Sequence, residues 1–229
     1  MSVRCCLLVV AKAPVAGSAK TRLCPPASPE QAADIAAAAL LDTLEAAACV
    51  PNTVAVVAMT GELAAAQRSA DLARALRSFT AIEQRGDAFA ERLATAHADV
   101  ASLYPGLPVV QIGMDTPHAT TQLLDSTIVR LLRRDVDAVL GLAEDGGWWA
   151  LGLKDPLRAD VLCGIPMSRS DTGRRTLDAL HNSGLRTGTL PVLSDVDTWD
   201  DANRVAARVP FSRFASAVAD VNRVADGVR

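Results

Sequence analysis

Aromatic residues make up only 3% of this 229-residue chain, and histidine occurs three times. The apolar share of 50% is carried chiefly by Ala, Val and Leu. His97 and His181 stand alone on helical stretches and read as surface or core residues rather than metal ligands. Neither sign of charge dominates: 23 Lys and Arg face 26 Asp and Glu, for a net charge of −3. That balance leaves no basic face for nucleic acid and no polybasic membrane anchor. No apolar run approaches the length of a membrane span. The five cysteines (Cys5, Cys6, Cys24, Cys49, Cys163) show neither C-x-x-C spacing nor an even count. They read as small buried residues in a reducing cytoplasm, not as zinc ligands or a disulfide framework. Repeats, linkers and low-complexity tracts are missing, apart from alanine richness. The length suits one domain over residues 1–229 with a substantial core.

The informative stretch is Leu7 to Leu23, LLVVAKAPVAGSAKTRL. Its apolar run suits a strand buried on both faces, as in a parallel sheet. The loop that follows holds Lys12, Pro14, Gly17, Lys20, Thr21 and Arg22, which have the chemistry of a phosphate cradle. Glycine allows close backbone approach, proline stiffens the loop, and the cations offset phosphate charge. Open α/β sheets bind ligands just beyond the carboxyl ends of their strands, where this loop lies. A signal peptide is the competing outline, but Lys12 sits inside its Ala11-Lys12-Ala13 cleavage motif and the apolar core is short. A P-loop is excluded, because the two positions that need glycine hold Pro14 and Ala19.

Strand and helix alternate along the rest of the chain, as in an α/β fold. Ser28-Pro29-Glu30-Gln31 caps an Ala-rich helix running to about Cys49. The pattern predicts strands at Thr53–Met59, Phe79–Glu83, Pro108–Gly113, Ala138–Leu142, Trp148–Leu153 and Thr187–Val192. It predicts helices at Glu62–Leu76, from Gly86 to Leu103, Thr120–Arg134, Asp171–Asn182, from Thr198, and in the tail after Ser212. Trp148 and Trp149 must point to opposite faces of their strand, so at most one can reach a pocket.

Three carboxylate-bearing junctions fall at strand ends. Asp115 follows VVQIG. Asp195 and Asp197 are two apart, so in extended backbone both face the same way. Asp145-Gly146-Gly147 is a turn whose glycines let backbone amides approach a ribose or sugar hydroxyl. Carboxylates at two such junctions are what Mg2+ or Mn2+ needs while leaving positions open for phosphates. Each junction alone also fits a turn or a helix cap, Asp197-Thr198 especially. His118 is close enough to Asp115 in sequence to touch a phosphate. Arg169, Arg174 and Arg175 fit either acceptor charge recognition or a solvated helix face.

The segments VVAKAPVAGSAKTRL, IGMDTP, EDGGWWALGL and DVDTWDDANRV, in that order, resemble a family of bacterial glycosyltransferase-like proteins. The family is described as of the arsenosugar-biosynthesis type or as a domain of unknown function. It is similar to the nucleotide-diphospho-sugar transferase superfamily, which also holds the molybdenum-cofactor and phospholactate nucleotidyltransferases. The resemblance spans roughly residues 5–205. It implies a three-layer α/β/α fold of the GT-A type with a predominantly parallel mixed sheet. It further implies that Lys20 and Arg22 bind donor phosphates with Lys12 nearby, and that Asp115, Asp197 and Asp195 hold the cation. Asp145, Gly146 and Gly147, with Trp148, would lie beside the sugar or acceptor. Two departures fall in that last region: Trp148 stands where the family commonly has Tyr, and Met167-Ser168 where it tends to have Trp-Ser.

The reading that results is a metal-dependent transferase with a nucleotide-sugar donor, with Asp145 as candidate base and Lys20 and Arg22 stabilising charge. Its alternatives are a nucleotidyltransferase that releases pyrophosphate, and a nucleotide-sugar-binding protein without turnover. The expected partners are small molecules, with no nucleic acid or membrane, in a cytoplasmic protein that is free to form a homodimer.

Overall fold

The computed structural model describes residues 2–227. Seven strands form one sheet: β1 (Cys5–Lys12), β2 (Thr53–Thr60), β3 (Thr80–Glu83), β4 (Val109–Ile112), β5 (Ala138–Leu142), β6 (Trp148–Leu153) and β7 (Thr187–Thr189). Their spatial order is β3-β2-β1-β4-β6-β5-β7. All pairings are parallel except those of β6, which runs antiparallel between β4 and β5. Among the described residues seven α-helices accompany them: α1 (Pro29–Ala48), α2 (Ser69–Ala75), α3 (Phe89–Leu103), α4 (Thr121–Leu131), α5 (Thr172–Asn182), α6 (Trp199–Arg208) and α7 (Arg213–Gly227). Helices pack on both sides of the sheet, so the fold is the expected three-layer mixed-sheet arrangement.

β1 is central because its sequence tolerates no other place: Cys5 through Ala11 are all buried, with side chains alternating between the two faces. Leu7 and Val9 join Leu40, Leu44, Leu124, Ile128 and Trp149 on one face. Cys6, Leu8 and Val10 join Leu93, Ala96, Leu162 and Leu180 on the other. A third cluster lies beyond α1, where Ile35 and Ala38 meet Val205 of α6 and Phe214 and Val218 of α7. α1 can be buried on several sides because so many of its side chains are Ala, which lose little entropy and let neighbours approach. Its start carries the predicted capping box, with Ser28 N–H donating to Gln31 Oε1 at 2.8 Å and Gln31 N–H to Ser28 Oγ at 3.2 Å.

Three predicted elements need correction. The helix expected over Glu62–Leu76 is broken into a 3-10 turn at Leu63–Ala65, then α2, then a second 3-10 turn at Leu76–Ser78. The break comes at Arg68, whose backbone is left-handed (φ 52°) and whose guanidinium grips Asp34 through two hydrogen bonds of 2.7 and 2.6 Å. Gln67 N–H donates to Pro14 O instead of continuing a helix. The strand expected to reach Val192 ends at Thr189: Leu190 N–H still donates to Leu140 O, but the next bond to that side, to Leu142 O, comes from Leu193 instead of Val192, so the regular alternation is lost. In between, the Pro191 carbonyl accepts the Trp149 Nε1–H at 2.9 Å. α4 stops at Leu131, short of Arg134. A 3-10 stretch at Pro156–Gly164, without a pattern of its own in the sequence, covers α3.

Candidate functional site

The strand order reverses direction between β1 and β4: the chain first builds outward through β2 and β3, then returns to add β4 on the other side. Loops from adjacent strands part at such a point and leave a crevice beyond the carboxyl ends. The loop after β1 carries Lys20 into that crevice, and the turn after β4 carries Asp115. The segment after β7 continues beside β5, through the Leu193–Leu142 and Glu144–Leu193 backbone hydrogen bonds, and brings Asp195 and Asp197 alongside. Val196 N–H donates to Asp115 O at 3.2 Å, which joins the two acidic junctions directly.

Both acidic groups are free of capping duties. Thr198, not Asp197, caps α6: its Oγ1 accepts from Asp201 N–H and its N–H donates to Asp201 Oδ2 at 2.8 Å. Thr120, not Asp115, caps α4 through Leu123 N–H at 3.2 Å. Lys20 Nζ instead lies between them, 2.7 Å from Asp115 Oδ2 and 3.2 Å from Asp197 Oδ1. Arg22 reaches the other oxygen of Asp197 at 3.4 Å from the open side. The Lys20 side chain is only 14% exposed, whereas those of Asp115 and Asp197 keep 39% and 38% open, so the ammonium is buried and the carboxylates face the cleft.

The electrostatics follow from this placement. Burial pushes the Lys20 pKa down, but the Asp115 and Asp197 charges outweigh it and hold the ammonium above its ordinary value. Burial likewise pushes Asp115 up, and the Lys20 ammonium more than compensates, so its carboxyl stays below the usual range. Asp195 has no such partner. Burial, then the nearby charges of Asp115 and Asp145, push it up to about 7, and its Oδ1 is buried without a hydrogen-bond partner. Lys20 and Arg22 therefore answer the charges of Asp115 and Asp197, and Asp195 is the carboxyl group left without a cation of its own. The oxygen donors are of the hard kind that Mg2+ or Mn2+ takes. Among the described residues, however, no three ligand-type side chains stand at coordination distance. Lys20 Nζ occupies the point between two of them.

The remaining predicted residues fall around this centre. Lys12, Ser18, Ala19, Lys20, Thr21 and Arg22, with Ala36, Met114, Asp115 and Asp197, line a cleft of about 290 Å3. Lys12 is exposed and its Nζ donates to Ser18 O at 3.3 Å, bracing the loop. Gly17 takes a positive φ of 74°, and a Cβ there would meet nothing within 4 Å. Its requirement is conformational rather than one of close approach.

The Asp145-Gly146-Gly147 turn uses its glycines internally. A Cβ on Gly146 (φ 89°) would collide with the Ser170 carbonyl, and Gly173 N–H donates to Gly146 O at 2.8 Å. Gly147 N–H donates to Asp145 Oδ1 at 2.8 Å. Trp149 is buried and Trp148 half-buried on the opposite face, as the alternation requires. Arg174 and Arg175 pair with Asp178 and Asp171 along α5, as a solvated helix face would. His118 has both ring nitrogens buried without partners.

Sequence reasoning missed Met114 and Ala36. Met114 Sδ accepts Lys12 N–H at 3.2 Å, tying the end of β1 to the turn after β4. The only available signal was its position beside Asp115. Ala36 borders the cleft from α1, and one alanine among many gave no signal at all.

A protein of Desulfovibrio desulfuricans G20, provisionally assigned as a nucleotide-diphospho-sugar transferase, is similar in structure with a TM-score of 0.79 and 27% identity. The match covers 99% of this chain and 96% of that one. A cytidylyltransferase from Leptospira borgpetersenii serovar Hardjo-bovis aligns with a TM-score of 0.57 at 14% identity, over 98% of this chain and 96% of its own. A mannosyltransferase from Pyrobaculum calidifontis, solved with GDP-Man and Mn2+, aligns with a TM-score of 0.52 at 16% identity, over 94% of this chain and 65% of its own. The last two likenesses establish the fold alone. No curated protein matches the sequence. Residues 40–169, more than half of the chain and including Asp115 and the Asp145 turn, match the profile of a family described as an uncharacterized protein conserved in bacteria, DUF2064, and the chain belongs to that family.

Proposed function

We propose that this chain is a metal-dependent transferase that takes a nucleotide sugar as donor, with residues 1–229 as one transferase domain. The observation that carries the reading is the meeting of Lys20, Asp115, Asp195 and Asp197 in the crevice where the strand order reverses. The fold's likeness to the Desulfovibrio protein supports a donor of that class. Lys12, Lys20 and Arg22, with Gly17 and Thr21 shaping the loop, bind the donor phosphates. Asp115, Asp197 and Asp195 would hold Mg2+ or Mn2+. The unpartnered Asp195 oxygen fits such an ion in donor chemistry. When bound, the ion would neutralise charge on the phosphate oxygens of the leaving group.

In the reaction, an acceptor hydroxyl attacks the anomeric carbon and the bond from that carbon to the phosphate oxygen breaks. The electron pair departs with the nucleoside diphosphate, whose charge Lys20 and Arg22 stabilise. The hydroxyl proton passes to Asp145, and Gly146, Gly147 and Trp148 border the sugar or acceptor. A second reading, nucleotidyl transfer from a nucleoside triphosphate, draws support from Asp145 Oδ1 being engaged by Gly147 N–H. That reaction needs no base, since its nucleophile is already an anionic phosphate.

The test is calorimetric titration against nucleotide sugars and nucleoside triphosphates, with Mn2+ and with chelator. Metal-dependent binding of a nucleotide sugar in preference to the triphosphate is the expected result, and Asp115→Ala abolishes it without unfolding the protein. Preference for a triphosphate, with pyrophosphate as product, would favour the second reading. Unchanged affinity in Asp115→Ala would remove the metal site.

A further inference from the structure

Lys20 has two competing duties in this cleft. Its loop is placed to meet phosphate, yet its ammonium is buried between Asp115 and Asp197 at 2.7 and 3.2 Å. A divalent ion held by the same two oxygens would need nearly the same point in space. An ammonium and a dication cannot share it: there is room for one of them, and their like charges repel. Lys20 must leave before that ion binds.

The loop offers a way out. Gly17 and Lys20 both have left-handed backbone, with φ of 74° and 48°, and the Lys20 side chain borders the same cleft as Lys12 and Arg22. The ammonium has three protons, and two are directed at carboxylates, so the third is available to an incoming anion. A phosphate in the cleft would attract Lys20 by its charge and at the same time supply oxygens for the cation that replaces it.

We infer that Lys20 is the resident counter-ion of Asp115 and Asp197 in the nucleotide-free protein, and that it moves onto the donor's phosphates when they enter, so the site takes a divalent cation only together with a phosphate ligand. This rests on the reading of the cleft as a phosphate and cation site, and it adds an order of events. Lys20 then serves two stations in turn, and the empty enzyme keeps its acidic cluster neutralised without metal. The unpartnered Asp195 oxygen is the donor left over for the larger charge.

The experiment measures protein-bound Mn2+ by water-proton relaxation enhancement, with Mn2+ alone and with Mn2+ plus inorganic pyrophosphate. Wild type is expected to bind Mn2+ alone weakly and to gain about tenfold or more in affinity with pyrophosphate present. Lys20→Gln is expected to bind Mn2+ alone about tenfold or more tighter than wild type, and Lys20→Arg to resemble wild type. Adding Asp115→Asn to Lys20→Gln should remove the gain, and its persistence would place the Mn2+ elsewhere and overturn the inference. Equal binding of Mn2+ alone by wild type and Lys20→Gln, tight or weak, would overturn the exchange while leaving the cation site standing. Absence of bound Mn2+ in every protein, with and without pyrophosphate, would remove the cation site itself. Should Lys20→Gln fail to fold, the wild-type pair of titrations decides alone.

Discussion

Gly17 and Gly146 look alike on paper, since each lies in a turn after a strand of the candidate site. Their environments separate them. At Gly17 an added Cβ meets open space, so Gly17→Ala carries only the penalty of a left-handed φ, about 1 kcal/mol. At Gly146 the same atom would drive into the Ser170 carbonyl, and the backbone of both segments is held by the Gly173 N–H bond to Gly146 O. Gly146→Ala should therefore cost about 3 kcal/mol or more, or prevent folding. Urea melts of the two variants check this, and equal costs would contradict the packing described. The aspartates show the same limit. Asp115 and Asp197 were legible as chemistry-bearing groups at strand ends. That Thr120 and Thr198 would relieve them of capping was not, because Asp and Thr are both good caps and only the backbone path chooses between them.

At the scale of elements, long apolar or alternating runs were legible and punctuated ones were not. β5 and β6 lie at their predicted residues because an uninterrupted Val, Leu and Trp pattern has one way to be buried. The 62–76 helix failed because Arg68 gains two charged hydrogen bonds to Asp34 by leaving helical backbone, a partner 34 positions away that no local pattern displays. A comparable tether joins the starts of β5 and β7. Arg186 gives Asp137 two guanidinium hydrogen bonds, at 2.8 and 2.9 Å, and its backbone N–H a third at 3.1 Å. The guanidinium, then that N–H, hold the Asp137 carboxyl down at about 2. In the unfolded chain this carboxyl would titrate at ~3.9, so the tether stabilises fully above that pH and fades as pH falls through about 2. Asp137→Asn should be less stable by roughly 0.5–1 kcal/mol at neutral pH, with the gap closing in acid. Denaturant midpoints at neutral pH and in acid measure it, and a gap that stays constant would mean the ion pair is not its source.

Over the whole molecule, one sheet links Cys5 to Thr189, and α6 and α7 close over α1 through the third apolar cluster. None of the three clusters is separated from the sheet or α1 by a linker. Unfolding in urea should therefore follow one transition, with far-UV dichroism and tryptophan fluorescence coincident. Trp148 and Trp149 report from β6 and Trp199 from α6, so a fluorescence transition ahead of the dichroism would expose a separable unit.

By itself the sequence determined the layered α/β architecture and the placing of Lys20, Asp115, Asp145 and the Asp195–Asp197 pair after strands or turns. These are local matters of burial, period and turn chemistry. It could not determine what each charged group faces. Lys20 stands 95 positions from Asp115 and 177 from Asp197, and Coulomb energy depends on distance through space, not along the chain. Only the tertiary structure set an ammonium between two carboxylates, left Asp195 without a partner, and turned the glycines of the Asp145 turn toward α5.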